Sequence, residues 1–240
     1  MKYILLFTVL LSSRLNCFAQ ETSKKTEKLT DSVTEHFFVL KSDGVTRHGL
    51  YQAIYRKNIA VASGQYTNGK RTGTWHFYDK RGNLLENYDY DHNEFLYEAP
   101  EDTTSPMRYK VDRLLSETDK TRKPYHPGGR YYGYLPFIAA YKVPLYDFGF
   151  SDDVIDLLIN RHLISANIEL LVSQGGRLAD FKVRIISPQF QIDYTTNFDP
   201  NLFSEYDRKF IPATVNGEPV LCRITISCRV QKNGKLDFKD

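Results

Sequence analysis

Residues Phe210 to Val230, FIPATVNGEPVLCRITISCRV, carry more of the fold than any other stretch of this chain. Pro212 stops a preceding helix, Asn216-Gly217 is a turn, and Val220 to Val230 alternate as one long strand. Val220, Cys222, Ile224, Ile226, Cys228 and Val230 share one face; Leu221, Arg223, Thr225, Ser227 and Arg229 share the other. This is the pattern of an antiparallel strand with one face in the core and one in water. Cys222 and Cys228 lie about 20 Å apart along that strand, against the ~7 Å between Cα atoms that a disulfide tolerates, so they read as buried free thiols.

Working upstream, Ala166 to Val172 is a strand, Gln174 to Arg177 its hairpin turn, and Leu178 to Ser187 the returning strand. Between this hairpin and the last strand, Asp199 offers an N-cap and Pro200 a first helical position. Leu202, Phe203, Tyr206 and Phe210 form an apolar stripe at helical spacing. The expected unit is strand, strand, helix, strand, a small antiparallel sheet with one helix across its apolar face.

That order of elements, the R-L-A-D-F-K-V run at Arg177 to Val183, and K-F-I-P-A-T-V-N-G-E-P-V at Lys209 to Val220 resemble the C-terminal domain of TonB-type energy transducers of Bacteroidetes-like bacteria. Tyr125 to Gly129 resembles the Pro-Gly-Gly segment that opens the domain in that branch, although Pro136 falls where the family carries an uninterrupted helix. The resemblance implies a binding module whose final strand takes up an extended segment of an outer-membrane transporter by strand addition. On it, the partner-binding residues are Leu221, Arg223, Thr225, Ser227 and Arg229.

Residues 36–97 repeat themselves. Asp43 to Tyr51, DGVTRHGLY, returns as NGKRTGTW at Asn68 to Trp75, an offset of 24 or 25 residues that also lays Tyr66 on Tyr90. A fixed short period means one supersecondary unit stacked on the next. Asn68-Gly69 and Arg81-Gly82-Asn83 are turns between aromatic-rich strands. Gly64 to Leu84 resembles the MORN repeat in the form found in YwqK-like bacterial proteins, which implies a curved ribbon of hairpins serving as a scaffold or a surface for a lipid or partner. Tyr66, Trp75, Phe77 and Tyr78 are the candidate residues of that surface, weighed against a role in packing.

The remaining segments set boundaries and compartment. Residues 1–19 carry Lys2, a short apolar run and a small-residue C-F-A-Q ending at Gln20, the pattern of a cleaved signal peptide and too short to span a bilayer as a helix, so membrane association would come only through a partner or through an uncleaved N-terminus. Its removal from a chain of 32 basic and 29 acidic residues leaves a formal charge of about +1, which implies no nucleic-acid partner. Residues 20–35 read as a flexible leader, 98–123 as a linker around Met107 to Leu115, 124–232 as the TonB-like domain and 233–240 as a polar tail. A helix starts at Ser151 with Val154, Leu157 and Leu158 on its buried face.

The six histidines are scattered and the acid pairs Glu101-Asp102 and Asp152-Asp153 fall in a linker and at a helix start, so no catalytic, metal or cofactor site is expected. The expectation is therefore an α+β protein, a hairpin ribbon followed by a β-β-α-β domain. It is exported to the periplasm or outer envelope, is not an enzyme, and pairs with an envelope protein, an outer-membrane transporter in the first instance. The alternative is a scaffold whose repeats bind a protein or lipid surface, with no energy-transducing role.

Overall fold

The repeats fold as hairpins laid edge to edge. In this computed structural model, which describes residues 20–100 and 105–239, they form one antiparallel meander of seven strands in sequence order. These are β1 (Thr22–Lys28), β2 (Val33–Leu40), β3 (Arg47–Tyr55), β4 (Ile59–Thr67), β5 (Lys70–Tyr78), β6 (Leu84–Asp89) and β7 (Glu94–Glu98). Asn68 and Gly69 turn β4 into β5 with φ of 49° and 80°, the paired positive values that match the twist of a two-residue hairpin. The expected signal peptide, residues 1–19, and Glu101-Asp102 lie outside the described residues.

The segment expected as a flexible leader supplies β1 and the start of β2. Thr22 to Lys28 is polar, but an edge strand is held by its backbone ladder, here Thr22 to Lys28 against Leu40 to Thr34, and needs no apolar side chain. Inward positions of the meander carry Phe37, Tyr51, Trp75, Phe77 and Tyr88, all buried. Gly64 makes room for the largest of them: a Cβ there would stand 2.2 Å from the Trp75 ring.

After the meander come β8 (Met107–Val111), β9 (Thr121–Arg122), α1 (Leu135–Ala139), α2 (Asp152–Asn160), β10 (Ser165–Val172), β11 (Leu178–Ser187), β12 (Ile192–Phe198), β13 (Ala213–Val215), β14 (Glu218–Val220), β15 (Cys222–Val230) and β16 (Leu236–Phe238). The second sheet runs β12-β11-β10-β15, with β8 and β16 sharing the far side of β15; β14-β13-β9 form a third, small sheet. Tyr131, Tyr132 and Phe137 lie between the two large sheets. Tyr132 stacks on Phe77 at 5.7 Å and Phe137 meets Phe181 at 6.0 Å, so one apolar core runs through both layers.

Among the described residues the fold is mostly β, with 50% in strands and 12% in helix, and this corrects the expected α+β class with its β-β-α-β domain. Asp199 does cap Asn201 at 2.8 Å and Pro200 does begin a turn, but it is a single 3-10 turn, Pro200–Leu202. The Ser204 hydroxyl closes the next turn on Asp207, accepting its N–H at 3.2 Å and donating to its carboxylate at 2.6 Å. Such local side-chain bonds compete with helix propagation. Of the expected stripe, Phe203 and Phe210 are buried and Leu202 is 70% exposed.

The sequence between β11 and this turn forms β12, paired with β11 along its whole length. Helical cover comes instead from upstream, where α1 and α2 bury Phe137, Ile138, Ile155 and Leu158; Leu157, expected inside, is exposed. The strand expected as continuous from Val220 is broken at Leu221, where the chain leaves the small sheet for the large one.

Candidate functional site

Strand β15 keeps the alternation read from its sequence: its even-numbered positions are buried, while Arg223 is exposed and Leu221, Thr225, Ser227 and Arg229 are half-buried. It is not an open edge. Ser165 to Val172 pair with it on one side, and Met107 to Val111 and Leu236 to Phe238 occupy the other. The Ser227 N–H donates to the Pro106 carbonyl at 2.9 Å, so by the two-residue period the amides of Arg223 and Thr225 also face β8. Arg223 is bound across the sheet to Glu169 at 2.8 Å. An added strand finds no free backbone here. Cys222 and Cys228 are free and buried on the core face, and burial pushes their thiols up to about 11 and 12.

The repeat residues are likewise turned inward. Trp75 and Phe77 are fully buried and stacked at 6.0 Å, Tyr66 meets the Trp75 ring at 5.1 Å, and Tyr78 is half-buried. Trp75 and Phe77 therefore present nothing to a partner. Their aromatic spacing is explained by the interlayer core.

β12 is one of the two edges of the second sheet. Its residues are exposed or half-buried, and its outer side is unpaired among the described residues. The four ends of the two large sheets differ in how they resist strand addition, the far end of the second being split between β8, five residues with Arg108 and Lys110, and β16, three residues. β1 carries Lys24, Lys25, Glu27 and Lys28, and β7 is five residues long with Glu94 and Glu98 at its ends. β12, IDYTTNF, is seven residues of largely β-favouring sequence without lysine or proline, and its one charge, Asp193, is taken by Arg184 at 2.7 Å. Charge and shortness protect the other edges; β12 is seven residues long and its single charge is already paired. Tyr194, 47% exposed, packs its ring against Phe148 at 6.1 Å and leaves an aromatic shelf beside the edge.

A second feature lies between the layers: a cleft of ≈ 400 Å³ lined by Glu35, Arg47, Tyr66, Arg71, Tyr132 and Tyr206, among others. Glu35 accepts from Arg47 Nη2 at 3.1 Å and from the Tyr51 hydroxyl. Since that hydroxyl's one hydrogen is used, Tyr132 must donate to Tyr51 across 2.6 Å. Burial and the neighbouring Tyr132 push the Tyr51 phenol well above its ordinary range. Behind Arg71, Glu86 accepts the N–H groups of Gly128 at 2.9 Å and Gly129 at 3.2 Å, and burial pushes its carboxyl up to about 8 despite them. His126, buried beside the cleft, is lowered by desolvation, with Nε2 3.0 Å from the Asp207 carbonyl.

Sequence reasoning missed this cluster, although one signal for it was present. The offset that lays Tyr51 on Trp75 also lays Arg47 on Arg71 and Gly49 on Gly73, so R-x-G-x-aromatic is the conserved unit of the repeat within this chain.

Among the described residues no three His, Cys, Asp or Glu side chains gather as a metal site, and no helix is long and apolar enough to cross a membrane. No family model matches this chain, and no curated protein or solved structure is significantly similar to it.

Proposed function

We propose that this chain is a binding protein of the cell envelope, not an enzyme, and that it takes an extended segment of a partner protein onto β12. One observation carries the reading: β12 is a seven-residue β-prone edge without the unpaired charge or shortness that guards the other three ends. Main-chain bonds to an added strand supply affinity, and side chains at alternate positions supply selectivity. Tyr194 and Phe198 share one side of β12 with Phe148 and Tyr141, so the partner's inward positions are apolar or aromatic. The envelope location rests on the signal-like residues 1–19. An outer-membrane transporter fits as the partner class.

A photo-cross-linking residue at Thr195, compared with one at Leu50 on the outer face of the repeat sheet, tests this in cells. Cross-linking to a protein from Thr195 is expected, with loss on adding Thr196→Pro or Asn197→Pro, whichever amide points outward. Cross-links from Leu50 and none from Thr195 would refute it in favour of a scaffold working through the repeats.

A further inference from the structure

The repeat places two guanidinium groups in one cleft. Arg47 and Arg71 stand on β3 and β5 with Tyr66 of β4 between them, and the Tyr66 hydroxyl accepts from Arg47 Nη1 and from Arg71 Nε, each at 3.4 Å. Two cations thus converge on one neutral oxygen. Glu35 compensates Arg47 directly. Arg71 meets no carboxylate within 4 Å among the described residues: its partners are the Tyr66 hydroxyl and the Tyr90 hydroxyl, the latter at 2.6 Å from Nη1. The rings of Trp75, Tyr90, Tyr132 and Tyr206 surround it at 4.7 to 5.9 Å.

A guanidinium cannot neutralise itself by losing a proton, so a partly buried one without a counter-ion is held at a cost. Hydroxyls and ring faces offset part of this. Nη2 meets no acceptor among the described residues, and Arg71 lines a cleft whose volume is within the size range of small-molecule sites. At the rim, the Asp207 carboxylate is engaged by Ser204 at 2.6 Å.

We propose that this cleft binds a small organic oxyanion, its carboxylate or phosphate group meeting Arg71 Nη2 and its body lying against Tyr66, Tyr132 and Tyr206. Arginine suits this role because its planar fork matches both oxyanions. The tyrosine walls add contact for a flat or aromatic body, so an aromatic anion gains over a bare one. The site is independent of the β12 edge.

The test is calorimetric titration of the full chain with three probes: inorganic phosphate, phenyl phosphate and benzoate. One saturable site is expected, with phenyl phosphate about tenfold tighter than inorganic phosphate because of ring stacking. Preference between phenyl phosphate and benzoate identifies the headgroup. Arg71→Gln is expected to weaken binding at least about tenfold, the scale of a lost charge-assisted bond. Because Arg71→Gln risks the fold, Ser204→Trp at the exposed rim is the second variant; it fills the mouth and is expected to abolish binding while keeping a cooperative unfolding transition, its midpoint lowered by loss of the Ser204–Asp207 bonds. Absence of saturable binding of all three probes overturns the proposal. So does binding that survives Ser204→Trp in a folded protein, which would put the anion elsewhere.

Discussion

Replacing Glu86 by glutamine changes how stability depends on pH, in a direction the structure fixes. Unfolded, this glutamate titrates near 4.5; folded, burial pushes it up to about 8, with the Gly128 and Gly129 N–H groups and Arg71 pulling the other way. Between those values the unfolded chain has released its proton and the folded chain still holds it. The folded state binds more protons there, so stability falls as pH rises, by about 1.4 kcal/mol per pH unit, and levels off above pH 8. The full fall is on the order of 5 kcal/mol. Glutamine cannot ionise, but it keeps an acceptor for only one of the two glycine amides, a loss of about 1–3 kcal/mol. Glu86→Gln is therefore expected to be less stable than the parent at pH 5 and more stable at pH 9. Urea unfolding followed by the emission of Trp75, the chain's single tryptophan, measures both across the range. The difference between the two proteins cancels the other titrating groups. Parallel curves from pH 5 to pH 9 would show that Glu86 ionises normally and refute the reasoning.

Gly64→Ala sets a methyl 2.2 Å from the Trp75 ring, and overpacking of this kind is expected to lower stability by about 1–3 kcal/mol, with a shifted Trp75 emission in the folded state. An unchanged spectrum and midpoint would mean the ring does not lie over β4. Thr225→Pro removes an amide that faces β8, so it is expected to loosen Met107 to Val111, cost about 1–3 kcal/mol and raise the reactivity of Cys222 toward a thiol reagent; Thr225→Ala serves as the control. Thiols as unreactive as the parent's would count against β8 as the neighbour of β15. Ile224→Asp puts a carboxylate at a fully buried position between β10 and β8 and is expected to abolish cooperative unfolding, checked by circular dichroism on heating.

What the sequence determined by itself is local. The alternation of Cys222 to Val230, the turn at Asn216-Gly217 and the β10–β11 hairpin all depend on neighbours a few residues apart. The 24 to 25 residue period likewise marks the β3–β6 hairpins, and it carries Arg47 and Arg71 to equivalent places. What the tertiary structure decided is which elements meet. Nothing in β15 says that Met107 to Val111, from the expected linker, and Leu236 to Phe238, from the expected tail, will close its second side, because a strand's backbone bonds carry no sequence code for their partner. The helix read at Asp199 to Phe210 failed for a related reason. A stripe at helical spacing records which residues are buried, and Phe203 and Phe210 reach the core from a turn once β12 has taken the chain to the sheet's edge. The charge cluster depended most on long range contacts, since Arg71 becomes a half-buried cation only when Tyr132 and Tyr206 are brought over the repeat sheet.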